Sequence, residues 1–208
     1  MTTLLSFDTS AAHCAAAVLS GDRITVSRFE PMEKGQAERL MPMLEEVLSD
    51  AGLGWRDLTA LAVGVGPGNF TGIRIGVAAA RGLALGLCIP AVGVTRLEAL
   101  AHGLATPVMA VEDARRGAVY VQGFGMAPDR AMLMTVEEAR AQAGVTAAVG
   151  SGGALAGLHV LSPAMPLADA IARIAAARTG PQPRPAPFYL RHADAAPPAD
   201  PPPVIIDV

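Results

Sequence analysis

The stretch GVGPGNFTGIRIG, residues 64–76, holds five glycines and a proline in thirteen positions and joins the apolar run LTALAVGVG to a longer Ala/Gly-rich one. Two readings compete for it, a loop that cradles phosphate and a turn that lets a helix pack closely. A dinucleotide fingerprint needs glycines at i, i+2 and i+5, but from Gly64 the third position is Asn69 and from Gly66 it is Thr71. The P-loop pattern fails as well, because the stretch contains no lysine. What remains is a strand, a Gly-Pro-Gly turn and a helix capped by Asn69 or Thr71, whose free N–H groups leave anion binding open.

The helix that follows, residues 70–87, carries two rows of small side chains. Gly72, Gly76, Ala80 and Ala84 lie at successive four-residue steps, and Ala78, Gly82 and Gly86 form the second row. Glycine costs about 0.8–1 kcal/mol against alanine inside a helix, so each glycine implies a packing gain on its side. Either both rows pack internally, or one of them belongs to a protein interface.

Around this centre the chain reads as α/β. TLLSFD at 3–8 is a buried strand; HCAAAVLS and RITVSRF flank Gly21-Asp22 at hairpin spacing. Leu40, Met43, Leu44, Val47 and Leu48 recur at helical spacing from Gln36 to Ala51, where Pro42 is expected to kink the helix or delay its start. A short strand at 90–94 and a helix at 96–102 complete a first lobe, 1–104. PVMAVEDARRGAVYVQGFG then repeats the strand, acidic end, strand unit, with Asp113 in the place of Asp8, and opens a smaller lobe, 105–185. That lobe holds a helix opened by the capping box Thr135–Glu138, a strand running into the glycine turn 150–153, and a helix over 166–178. Of the proline-rich tail 186–208, only FYLR at 188–191 is expected to dock.

Composition narrows the function. With 51% hydrophobic residues the 208-residue chain can fill a core, and a net charge of −3 argues against a broad nucleic-acid face. Two distant cysteines, Cys14 and Cys88, read as small buried hydrophobes in a reducing compartment. No secretory leader is recognisable, and Arg74 and Arg81 interrupt the one membrane-like window, so a soluble cytoplasmic protein without membrane partners is expected. His13, His102, His159 and His192 show no HxxxH or HExxH spacing, Ser151 misses the GxSxG elbow, and no metal site is expected. Asp8 and Asp113 end apolar strands, where Mg²⁺-nucleotide enzymes often keep carboxylates; the competing role is a hydrogen bond to the next turn.

Taken together, GPGNFTGIRIG, AERLMPMLEEVL, EDARRGAVY and PFYLR resemble the bacterial TsaB (YeaZ) family over most of the chain. The resemblance implies the two-lobed actin, sugar-kinase and Hsp70-ATPase (ASKHA, RNase H-like) fold. It implies a role in making N6-threonylcarbamoyladenosine (t6A) at position 37 of tRNAs that read codons starting with A. There TsaD, a metal-binding paralogue, transfers the threonylcarbamoyl group, the family member binds and activates TsaD without catalysing, and the ATPase TsaE joins them; tRNA contact is indirect. In the family the first two helices pair with TsaD or with a second copy in a homodimer. Carried over, this makes Leu40, Met43, Leu44, Val47, Gly72, Ile73, Gly76 and Ala80 the expected partner-binding set, with Gly76→Leu expected to weaken pairing without unfolding the chain. Asn69 stands where the family usually has serine, Gln36 where it often has histidine, and the second lobe is short near 144–165. The chain is expected to need no cofactor. The alternative is an independent small-molecule kinase of the same fold, with Asp8, Thr9 and Ser10 around the phosphates of ATP or ADP. A metallopeptidase, a third reading, lacks the histidine pair.

Overall fold

The structure, a computed structural model, describes residues 2–142 and 147–191. Strands β1 (Thr3–Asp8), β2 (His13–Ser20), β3 (Arg23–Pro31), β4 (Ala60–Gly64) and β5 (Ala91–Val94) form a sheet in the order β3-β2-β1-β4-β5. Gly21, at φ +64°, makes the tight turn between β2 and β3. A second sheet is built from β6 (Val108–Arg115), β7 (Ala118–Phe124), β8 (Met132–Thr135), β9 (Ala148–Val149) and β10 (Val160–Leu161), in the order β10-β9-β6-β7-β8. In both sheets the first strand pairs antiparallel with the second and parallel with the fourth, so one unit occurs twice.

The central strand β1 is covered on both faces, and its alternation sorts the layers. Leu5 and Phe7, with Leu61 and Val63, face α1 (Gln36–Asp50) and α2 (Phe70–Leu87). Leu4, with Ala62 and Val92, faces α5 (Leu167–Ala177), and Ser6 between them donates to the Ala168 carbonyl at 2.7 Å. The second lobe, expected over 105–185, therefore ends earlier as a packing unit. Helix α5 returns to the first sheet, because Ala170, Ile171, Ala172 and Ala175 complete that sheet's second face. The second sheet is covered by α3 (Arg96–Ala101) on one side and by α4 (Val136–Arg140) on the other. Helix α1 starts at Gln36 despite Pro42, which is exposed inside it. Cys14 is buried, and that burial pushes its thiol up to about 11, whereas Cys88 is exposed at the C-cap of α2 and is no core residue.

Four of the five glycines of 64–76 lie against the turn Asp8–Ser10; Gly66, at φ +95°, lies instead against Ile73 and Phe188. Asn69 caps α2 by accepting from Gly72 N–H at 2.9 Å. The first turn of α2 then lies against the turn Asp8–Ser10: Thr9 Oγ1 donates to the Gly72 carbonyl at 2.7 Å, and Asn69 N–H donates to the Ser10 carbonyl at 2.6 Å. A Cβ at Gly64 would overlap the Asp8 carboxylate, at Gly68 the Ser10 carbonyl, and at Gly72 the Thr9 carbonyl; at Gly76 it would stand 2.9 Å from Thr9 Oγ1. Gly82 and Gly86, on the opposite row, have nothing within 4 Å of a Cβ. By length and composition α2 is the one helix among the described residues that could cross a membrane; its inner row packs on the first sheet.

The two rows predict opposite responses to one methyl group. Gly72→Ala forces α2 off the turn and destabilises by about 1–3 kcal/mol, while Gly82→Ala keeps every contact and stabilises by about 0.5–1 kcal/mol through helix propensity. Denaturant titration of the two variants checks both signs; a neutral Gly72→Ala removes the close-approach argument.

Candidate functional site

Asp8 ends β1 with its carboxylate fully buried. Its Oδ1 accepts from Ser10 N–H at 3.1 Å and Ser10 Oγ at 3.0 Å, and lies 2.7 Å from His13 Nε2. The Arg96 guanidinium, at the first position of α3, stands 3.9 Å away. Burial alone pushes the Asp8 carboxyl up, but His13, Arg96 and Ser10 outweigh it and hold the group below the ordinary carboxylate range. An ionised carboxylate only accepts, so His13 Nε2 is the donor.

Arg96 continues the chain of charges into the second lobe. Its Nε donates to Glu112 Oε2 at 2.6 Å, and Glu112 Oε1 accepts from Ser151 N–H at 2.9 Å. Burial disfavours the guanidinium charge, yet Glu112 and Asp8 together raise its pKa above the usual arginine value. The ends of β1, α3, β6 and the glycine turn after β9 are thus joined by one line of hydrogen bonds and ion pairs. Ser10, Gln36, Phe70, Arg96, Glu112 and Tyr120 are among the residues lining the cleft of about 1050 Å³ above it.

The sequence names Asp113 as the counterpart of Asp8, but the structure gives that position to Glu112. Asp113 is exposed and accepts from Arg115 N–H at 2.6 Å, the turn-forming role. Adjacent residues of a strand face opposite sides of the sheet, and in β6 it is Glu112, paired with Tyr120, that turns toward Arg96. The only sequence signal for Glu112 was its neighbour's acidity.

Asp8, Thr9 and Ser10, the expected phosphate contacts, are all buried and bonded internally, Thr9 to Gly72 and Ser10 to Asp8. The Thr9 hydroxyl is committed to α2, which corrects its expected place at a phosphate, whereas Asp8 Oδ2 takes no hydrogen bond and Ser10 lines the cleft. Among the described residues no group of three or more His, Cys, Asp or Glu is placed to hold a metal ion.

The eight residues expected to meet a partner need correction too. Leu40, Met43, Leu44, Val47, Gly72, Ile73, Gly76 and Ala80 are all buried in the first lobe. The two helices do lie side by side, but these residues point into the sheet, and leucine at Gly76 would strike Thr9 and Val63. The outward side of α2 carries Arg74, Ala78, Arg81, Gly82, Leu85 and Gly86, and that of α1 carries Met41, Pro42 and Glu45. Leu85 is 81% exposed.

Residues 30–147 match the family model described as "TsaD: tRNA N6-adenosine threonylcarbamoyltransferase". The chain is 41% identical over 122 residues to the Escherichia coli tRNA threonylcarbamoyladenosine biosynthesis protein TsaB, a match covering 56% of this chain and 52% of that protein. It superposes on a Pseudomonas aeruginosa protein described as similar to peptidase YeaZ with a TM-score of 0.78 at 30% identity, covering 92% of this chain and all of the other.

The chain belongs to the TsaB (YeaZ) family.

An uncharacterised Mycobacterium tuberculosis protein is 33% identical over 212 residues, covering 95% of each chain. The curated TsaB relatives are matched over about half their length. The duplicated sheets give the TsaB (YeaZ) chain the two-lobed architecture of the actin-like fold.

Two measurements check the charge line. Because the folded Asp8 pKa is depressed, its contribution to stability is present above the unfolded value of about 4 and is lost as pH falls through the lower folded value. Asp8→Asn therefore loses stability at neutral pH and flattens the acid limb below about pH 4 in a denaturation series. Arg96→Met leaves buried Glu112 without its ion-pair partner and Asp8 with His13 and Ser10 only, and destabilises by about 3–5 kcal/mol, part of which Arg96→Met/Glu112→Gln restores.

Proposed function

We propose that the chain is a non-catalytic subunit that binds and activates TsaD in threonylcarbamoyl transfer to adenosine 37 of tRNAs reading codons that start with A. The observation that carries the reading is the outer row of α2. Gly82 and Gly86 stand in open space inside an 18-residue helix, where each costs helix stability and nothing among the described residues returns it. Beside them Leu85 is almost fully exposed. A partner whose helix approaches the α2 backbone closely, with Leu85 as an anchor, supplies the missing gain. Residues 30–147 match a model of the transferase family, so TsaD is a partner of related fold, able to present an equivalent helix pair in a pseudo-twofold contact. A second copy of the chain can use the same face in a homodimer that TsaD displaces, with TsaE joining the TsaD complex and tRNA held by the other subunits.

The internal engagement of Asp8, Thr9 and Ser10 supports the non-catalytic half of the reading, since these residues would have to turn outward to meet a phosphate. In this reading the chain works in the cytoplasm and carries no cofactor of its own.

Gly82→Leu places a side chain where the chain has room and a partner would not. It does not lower the melting temperature and weakens calorimetric binding to TsaD by about tenfold or more. Unchanged affinity removes the α2 interface.

A further inference from the structure

The outer row of α2 begins at Arg74, four residues before Ala78 and eight before Gly82. Arg74 is exposed, yet it is held on two sides. Its guanidinium carbon lies 3.8 Å from the centroid of the Phe70 ring, and its Nε donates to Tyr189 Oη at 3.0 Å. Tyr189 stacks on Phe70 with ring centroids 4.8 Å apart. No carboxylate among the described residues pairs with this guanidinium.

Tyr189 is placed by a segment that touches both lobes. Pro185 is buried beside Gly93 on β5. Phe188 N–H donates to the Val65 carbonyl at 2.8 Å, and the Phe188 ring packs into the core of the first lobe. Leu190 packs into the cluster that α3 makes with the second sheet. Alternate side chains are thus anchored in different lobes, and the residue between them faces outward against α2.

We infer that Pro185–Arg191 is a strap whose Tyr189 is a positioning residue for Arg74, presetting that guanidinium to receive a carboxylate of the partner; this rests on the reading of α2 as the TsaD contact. With Nε turned to Tyr189 and the plane stacked on Phe70, the remaining edge of the guanidinium is the Nη pair, which binds a carboxylate in fork geometry. Ordering a long arginine before the partner arrives removes part of the entropy that binding would otherwise cost. The arrangement also ties the partner face to the relative position of the two lobes, since moving Leu190 away from Phe188 pulls Tyr189 off Arg74.

The test measures binding of the full chain to TsaD by calorimetry for four proteins: unsubstituted, Tyr189→Ala, Arg74→Ala and the double variant, each with its circular dichroism checked. Tyr189→Ala is expected to weaken binding about tenfold, and about twofold or less once Arg74 is alanine, because interacting residues are not additive. Tyr189→Phe, which keeps the stack and loses the hydroxyl, falls between Tyr189→Ala and the unsubstituted chain. Equal affinity of Tyr189→Ala and the unsubstituted chain overturns the inference and leaves the α2 interface standing. A full tenfold loss in the Arg74→Ala background also overturns it, because the strap would then act through the fold and not through Arg74. No binding by the unsubstituted chain overturns both readings.

Discussion

The first turn of α2 and the residues leading into it rest on the turn Asp8–Ser10 so closely that Gly68 and Gly72 have no room for a side chain. From this contact much else follows. It buries the polar side chains of Asp8, Thr9 and Ser10 and fixes which row of α2 turns inward. It also brings Asp8 to the end of the charge line that crosses through Arg96 to Glu112.

Buried ion pairs of this kind are costly to assemble and more costly to leave half-made, so their main effect is to exclude alternatives. Asp8 in one lobe and Glu112 in the other lie against one guanidinium; without it Glu112 would be a buried carboxylate lacking its ion-pair partner, while Asp8 would keep His13 and Ser10. The strap at 185–191 reinforces the same restriction from the mouth of the cleft, with Phe188 seated in one lobe and Leu190 against the other. The two lobes are joined at the floor by charge and at the rim by apolar anchors. Such an architecture suits a protein whose product is a shaped surface.

Much of this was legible in the sequence. The periodicity of Leu40–Leu48 marks α1, the small-residue run marks α2, and the repeated strand with an acidic end marks the second sheet. The glycines and alanines of α2 do not by themselves say which row faces the core; Arg74 and Arg81 mark the outer side, and the inner side is fixed by what it meets. The deciding partner, the carbonyl of Thr9, is 63 residues away in sequence. Glu112 was hidden because, of two adjacent acidic residues on a strand, only one faces Arg96, and which one is set by how β6 sits between α3 and its neighbouring strands; the return of α5 to the first sheet is a long-range packing event with no local mark. Pro42 does not delay α1, because its exposed position tolerates the lost hydrogen bond while Leu40, Met43 and Leu44 around it are buried.

The most direct measurement is reconstitution of the tRNA modification with purified TsaD, TsaE and a source of threonylcarbamoyl-AMP, with and without this chain. The account predicts that modified adenosine forms only when the chain is present and that the chain alone forms none. Full modification in its absence would contradict the account.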